Sequence, residues 1–343
     1  MSAGGITLTL AHSPDPDDAF MWWPITGKID PVAARGALER LGGAAGALPD
    51  LPLLAPPAID TGRFRFRALP GDIETLNRRA AEVGDLEITA LSARAYADVA
   101  GRYAVTACGG SFGDGYGPKV VVRAGSSIRC DACLRTPRGN PLTVAIPGMR
   151  TTAFLVFSLL MRGRGGAADT EHAAAFEAVE MPFDRVIDAV ARGQHEGRRI
   201  DAGLVIHEGQ LTFSECGLRQ VVDLGAWWKQ RTGVPLPLGV NVLRRHLDAR
   251  SGPGTLTAVA DLLRRSVRHA LEHRAESVEY ALGFALANKT GGVTREGVER
   301  YIDLYVNRWT IDMGDAGRAA VERLLREGAA AGLCPDAGRI EPV

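Results

Sequence analysis

The stretch Asp201–Glu208, DAGLVIHE, holds a short apolar, partly β-branched run from Ala202 to Ile206. A run of this length closed by polar residues predicts a buried strand. It ends in His207-Glu208. In open α/β sheets a ligand sits outside the carboxyl ends of the strands, so His207 stands where a ligand would be. Imidazole is also the side chain best suited to move protons near neutral pH. Position alone leaves a hydrogen-bonded core histidine as an equal reading.

Working outward, the same arrangement recurs. Ile6–Leu10 alternates as a strand and leads to His12-Ser13-Pro14-Asp15-Pro16-Asp17-Asp18, then to the apolar run Ala19–Trp23. Two prolines and an Asp before an apolar run predict a turn and a capped helix. Simple capping is the competing account of these acids. Phe64–Leu69 predicts a strand, and Asp72–Asn77 opens a helix with acids in its first turn, as the helix dipole favours. Leu86–Leu91 predicts another strand and ends in Ser92, before helical Ala93–Val99. Leu142–Ile146 leads through Pro147-Gly148-Met149-Arg150-Thr151-Thr152 into an apolar helix, Ala153–Leu160. Paired threonines beside free first-turn amides suit a carboxylate, and Thr151 as a plain N-cap is the alternative. Ser13, Ser92, Thr151-Thr152 and His207 thus each follow a predicted strand. In a parallel sheet such ends share one edge, which predicts a polar site in a cleft.

The rest is scaffold in this reading. Lys119–Arg123, Val179–Pro182, Val221–Leu224 and Val240–Leu243 read as strands, Asp184–Arg192 as an amphipathic helix, and Trp227-Trp228 as core or lobe contact. Apolar residues three and four apart predict helices over Ser266–Leu286 and Arg295–Val306. Residues 31–61, with four prolines between Leu48 and Pro57, predict a surface insertion, partly disordered. Gly109–Pro118 is a glycine-rich turn without the Gly-Lys-Ser/Thr ending of a phosphate loop. Cys130 and Cys133 have CxxC spacing but no second pair, so no metal site is expected.

The chain has 343 residues, with 40 basic and 40 acidic side chains. That length holds one large domain or two ordinary ones. Zero net charge gives no support to nucleic-acid or anionic-membrane partners. Five sparse cysteines suit a reducing compartment. The opening MSAGGITLTLAHS lacks the basic and apolar regions of a secretory signal, and no apolar run nears the ~18 residues of a membrane span. A cytoplasmic protein is expected.

SPDPDDAFM, DIETLN, LSARAYADV, GDGYGP, VAIPGMRTTAF, GLVIHEG and VVDLGAWWKQRTGVPLPLG, in this order, resemble the 1,4-dihydroxy-6-naphthoate synthase family of the futalosine route to menaquinone. The resemblance spans nearly the whole chain and leaves out 31–61 and the loop around 129–140. It implies an α/β, two-lobed fold like type II periplasmic binding proteins, with mixed sheets flanked by helices and a ligand cleft between the lobes. The first lobe would comprise 1–122 and 241–343, the second 123–240, with crossings near Val120–Arg123 and Leu238–Val242. The implied activity is a lyase that converts cyclic dehypoxanthine futalosine to 1,4-dihydroxy-6-naphthoate without metal or organic cofactor. A carboxylate-binding protein of the same fold and a chorismate dehydratase-like sibling are the alternatives.

The family's base corresponds to His207, its serine to Ser92 and its second paired threonine to Thr152. The family opening is Ser-Pro-Cys-Pro-Asn-Asp, whereas this chain has Asp15 and Asp17 at the Cys and Asn positions. Arg150 stands where some members carry histidine. The resemblance implies a neutral His207 acting as general base. Thr151, Thr152 and Arg150 would hold a substrate carboxylate, Ser13 and Ser92 would bond its oxygens, and Asp18 would cap the first helix and shape the pocket.

Overall fold

The structure is a computed structural model that describes residues 5–38, 40, 48–130, 133–134, 141–163, 176–288 and 293–343. Among these residues two mixed sheets carry the architecture. The first has strand order Phe64–Pro70, Ile6–His12, Ile88–Ser92, Leu236–Arg244 and Tyr103–Val105, with Ser111–Gly113 pairing onto Leu236–Arg244. Ile6–His12 is parallel to both neighbours, while Leu236–Arg244 is antiparallel to all three of its partners. The second sheet has the order Phe176–Glu180, Leu142–Ile146, Ala202–Val205, Lys119–Arg123 and Leu218–Asp223. Its first three strands are parallel and the rest antiparallel.

The chain changes sheet between Gly113 and Lys119 and returns between Asp223 and Leu236. Glycine is required here by close backbones. A Cβ on Gly113 or on Gly225 would stand 1.9 Å from the Tyr116 carbonyl oxygen. The glycine-rich stretch is therefore part strand and part crossing rather than a plain turn.

Helices Thr255–Glu272, Arg274–Asn288 and Arg295–Tyr305 pack on the first helix, Pro16–Thr26. The run predicted as one helix over Ser266–Leu286 is broken at His273, where ψ reaches 44°. The last long helix, Gly314–Ala330, lies on Leu236–Arg244, and its Gly328 is closed over by Leu155 of the helix Thr152–Arg162. One apolar cluster consequently joins the sheets. It includes Leu91 and Val240 of the first, Val144 and Leu204 of the second, and Leu155, Trp228 and Leu324 of their helices. Full burial of such side chains contributes about 1.5–3 kcal/mol each.

Two further expectations change. The strand ends before Ser13 and Ser92 lie in one sheet and those before Thr151 and His207 in the other, so they do not share an edge. The described part of 31–61 lies mostly at the surface, as expected, but holds regular elements. Pro31–Ala34 is a short helix capped by Asp30, Leu53–Ala55 pairs with Lys28–Ile29, and Ala34, Ala37 and Leu38 are buried. Residues 39 and 41–47 lie outside the described residues, as do 131–132 and 135–140 of the second loop. Among the described residues no helix is long and apolar enough to cross a membrane, and no group of three or more His, Cys, Asp or Glu could hold a metal ion.

Candidate active site

A cleft, partly open to solvent, is lined from both sheets. From the first sheet and its helices come Ser13, Asp15, Asp17, Asp18, Ser92, Asn241, Tyr301 and Tyr305. From the second come Thr151, Thr152, His207 and Gln210. The sequence-predicted residues other than Arg150 meet here.

Asp15 occupies the N-cap position of Pro16–Thr26 but makes no side-chain cap bond. Its Oδ2 faces His207 Nδ1 at 2.6 Å and accepts from Ser13 Oγ at 2.8 Å. Asp18 accepts from the Ser13 N–H at 2.8 Å and from Trp22 Nε1 at 3.0 Å. Asp18 thus ties the incoming turn to the helix from its first turn, where a cap was expected of it, and Asp15 at the N-cap position makes no cap bond either.

His207 follows the strand by two residues and holds a φ of 51°. That left-handed conformation costs roughly 1–2 kcal/mol for a residue with a Cβ. It turns the chain before Glu208, so the two side chains are not disposed as strand neighbours. Phe183 packs its ring against the imidazole at 4.8 Å. Burial alone would lower the imidazolium pKa. The Asp15 carboxylate, by its charge and its hydrogen bond, outweighs burial and pushes it up to about 9. The pairing with Asp15 favours the protonated ring in the unliganded cleft. Nδ1 is the nitrogen held by Asp15, which leaves Nε2 for a ligand. His12 is the opposite case: fully buried, bonded through Nδ1 to the Ser13 carbonyl at 2.6 Å, and driven down by burial.

The threonine hydroxyls already have partners. Thr151 Oγ1 accepts from Phe154 N as the N-cap and donates to Gly148 O at 2.8 Å. Thr152 Oγ1 donates to Leu238 O at 2.9 Å and accepts from Arg94 N at 3.2 Å, tying the second sheet's helix to the first sheet. What this turn offers a carboxylate is chiefly its first-turn backbone at Thr152 and Ala153, both on the cleft wall. Ser92 is clamped by Asn77, which donates to Ser92 Oγ at 3.1 Å and accepts from Ser92 N at 2.9 Å. Arg150 is not on the cleft wall. Its guanidinium meets Glu82 at 3.1 Å and Asp98 at 3.4 Å, and its N–H bonds Glu74 at 3.3 Å, all on the first sheet's helices. The charge offered for a substrate carboxylate is engaged in an ion-pair contact between the two halves.

Sequence reasoning missed Asn241, Tyr301, Tyr305 and Gln210. Asn241 donates to Gly109 O at 2.8 Å, and Gln210 donates to Tyr305 Oη at 2.7 Å. Burial pushes both phenols up, so they stay protonated. The one available signal was Asn241, a polar residue inside the apolar strand Val240–Leu243.

Comparison with known proteins fits this geometry. The family model described as menaquinone biosynthesis matches residues 8–330. This chain belongs to the menaquinone biosynthesis family. Within it, a Thermus thermophilus protein named 1,4-dihydroxy-6-naphthoate synthase is 36% identical over 334 residues, covering 97% of both chains. A Streptomyces coelicolor protein of the same name is 35% identical over 332 residues, covering 97% of this chain and 96% of its own. A crystal structure of an Archaeoglobus fulgidus protein superposes with a TM-score of 0.68 at 33% identity, over 97% of this chain and all of that one. A ligand-binding component of a Staphylococcus aureus ABC-type import system superposes at 0.62 with 11% identity, over 98% of this chain and 97% of its own. An alkanesulfonate-binding protein of Xanthomonas axonopodis superposes at 0.58 with 12% identity, over 98% and 96%. At those identities the last two speak for the fold alone. This menaquinone biosynthesis family member has the mixed α/β fold of the periplasmic binding proteins.

Proposed function

We propose that this chain is a lyase that converts cyclic dehypoxanthine futalosine to 1,4-dihydroxy-6-naphthoate. The observation that carries the reading is full-length similarity at 35–36% identity to two proteins bearing that synthase name. The two sheets and their helices serve as the two lobes; the crossings lie between Gly113 and Lys119 and between Asp223 and Leu236, several residues before the expected bounds of 1–122 with 241–343 and 123–240. The substrate lies in the cleft between them, its carboxylate at the amino end of Thr152–Arg162. Ser13 and Ser92 present oxygens to it, and the enzyme works in the cytoplasm.

His207 is the base in this reading. Asp15 fixes Nδ1–H, as the carboxylate of a catalytic triad fixes its histidine, and Nε2 takes the substrate proton. Elimination then follows, drawn forward by formation of the aromatic ring. General base catalysis supplies roughly 10²–10⁴-fold. The remainder comes from holding the substrate and excluding water as the lobes close. Only the deprotonated ring works as a base, so kcat/KM rises with pH until about 9.

The test is turnover of cyclic dehypoxanthine futalosine by the purified chain, with naphthoate followed by mass. Wild type turns over, and His207→Gln loses about 10²-fold or more. No turnover by folded wild type sinks the synthase reading. Thermal stabilisation by the same compound without turnover would instead indicate a binding protein.

A further inference from the structure

Asp17 is the one acid of the opening turn that the mechanism leaves without a task. Its side chain is about nine-tenths buried, it lines the cleft, and its Oδ1 has no hydrogen-bond partner among the described residues. Its neighbours on either side are fully engaged: Asp15 with His207 and Ser13, and Asp18 with Ser13 and Trp22. We propose that Asp17 stands in the cleft as a neutral carboxylic acid and donates a hydrogen bond to the ligand oxygen that gains negative charge when His207 takes its proton. The proposal rests on the reading of His207 as the base.

Three observations carry it. First, an unpartnered carboxylate oxygen buried this deeply is costly, whereas a protonated carboxyl needs only an acceptor. Second, the charges around it disfavour ionisation. Asp15 and Asp18 flank it on its own turn, and the phenols of Tyr301 and Tyr305 stand near it from Arg295–Tyr305. Two influences oppose this: His207, already paired with Asp15, and a hydrogen bond from the Asp18 backbone N–H. Burial, then Asp18 and Asp15, raise the Asp17 pKa well above the carboxylate range. The amino end of the helix favours an anion by only about 0.3–1 kcal/mol at exposed sites, and up to ~2 when partly buried. Third, under the proposed function the substrate carries a carboxylate, which three ionised carboxylates on the same cleft wall would repel. A neutral Asp17 removes that repulsion and adds a donor.

The chemistry has a physical precedent, in which an apolar site keeps a carboxyl protonated at neutral pH so that it can stabilise an oxyanion. Such a donor acts only if its proton is in place, so activity falls as Asp17 ionises at high pH. The step needs no co-reactant. His207 gains the substrate proton, the electron pair moves onto the ligand oxygen, and Asp17 shares its proton with that oxygen.

The experiment compares wild type with Asp17→Asn, which keeps an N–H donor in place of the O–H, and with Asp17→Leu, which keeps the volume and removes the donor. Asp17→Asn stays within about tenfold of wild type near pH 7 and loses the alkaline decline of kcat, whereas Asp17→Leu loses about 10²–10³-fold in kcat. Infrared difference spectroscopy of the ligand-free protein at pH 7, wild type minus Asp17→Asn, shows the carbonyl stretch of a protonated carboxyl. That readout needs no turnover, so it decides the state of Asp17 even if the synthase reading fails. A carboxylate band in its place overturns the proposal, as does an Asp17→Leu protein as active as wild type.

Discussion

Replacing Asp15 by Asn keeps an acceptor for His207 Nδ1–H and removes the charge that holds the proton. The imidazole then returns toward its ordinary value near 6.5, and the acid limb of the pH–rate profile moves down from about 9. An unmoved limb in Asp15→Asn would show that Asp15 does not set the charge on the base. The same pair affects stability. Because the folded-state value is raised, the pairing stabilises the protein fully below ~6.5 and is lost as pH rises through about 9. The difference corresponds to on the order of 3 kcal/mol. The Tm of wild type therefore falls between pH 6.5 and 9.5, and that of Asp15→Asn falls less. In the sequence Asp15 stood out as a turn or capping acid and as a departure from the family opening. Nothing local could say that Asp15 would leave its capping role for a histidine 192 residues away, because that contact is made by the meeting of two sheets.

At the scale of elements, the contact between the helix Ile73–Glu82 and the turn Pro147–Thr151 closes one side of the cleft. Arg150 meets Glu82, Asp98 and the Glu74 carboxylate through its N–H, and Arg78 pairs with Glu180 of the second sheet. These side chains are partly exposed, so each pair contributes about 0.2–1 kcal/mol and weakens with salt. Arg150→Ala should raise KM by about 2–5-fold with little change in kcat, and the difference should shrink at high salt. A KM unaffected at low salt would mean that closure does not depend on this contact. The crossing between sheets is stricter. A Cβ on Gly225 would meet the Tyr116 carbonyl oxygen at 1.9 Å, and backbone cannot step aside as a side chain can. Gly225→Ala should therefore destabilise by about 1–3 kcal/mol or more, read as a fall in denaturation midpoint.

Across the whole molecule, the periodicity of apolar residues was enough to find most strands. Lys119–Arg123 and Leu142–Ile146 fall where the run of β-branched and apolar residues predicts them. Tyr103–Val105 and Ser111–Gly113 were missed because three residues carry too little period to read, and glycine masks the second. The breaks between sheets were displaced by several residues, because a sequence records where strands lie but not which strands pair. The site was legible as a set of residues after strands, and its assembly from two facing edges was not. Arg150 shows the limit well: its charge was visible, but its partners come from helices 50 to 70 residues upstream.

The strand Leu236–Arg244 lies between Ile88–Ser92 and Tyr103–Val105, yet it is made long after both. During synthesis the first sheet is therefore a half-built object with two raw edges, while the ribosome completes the entire second sheet. At ~5–20 residues per second that interval lasts on the order of ten seconds. Unpaired edges of this kind invite pairing with other nascent chains. The menaquinone biosynthesis protein should therefore depend on chaperones during translation more than on stability afterwards. Nascent chains stalled before Leu236 should be captured by trigger-type holdases and released once Arg244 has cleared the exit tunnel.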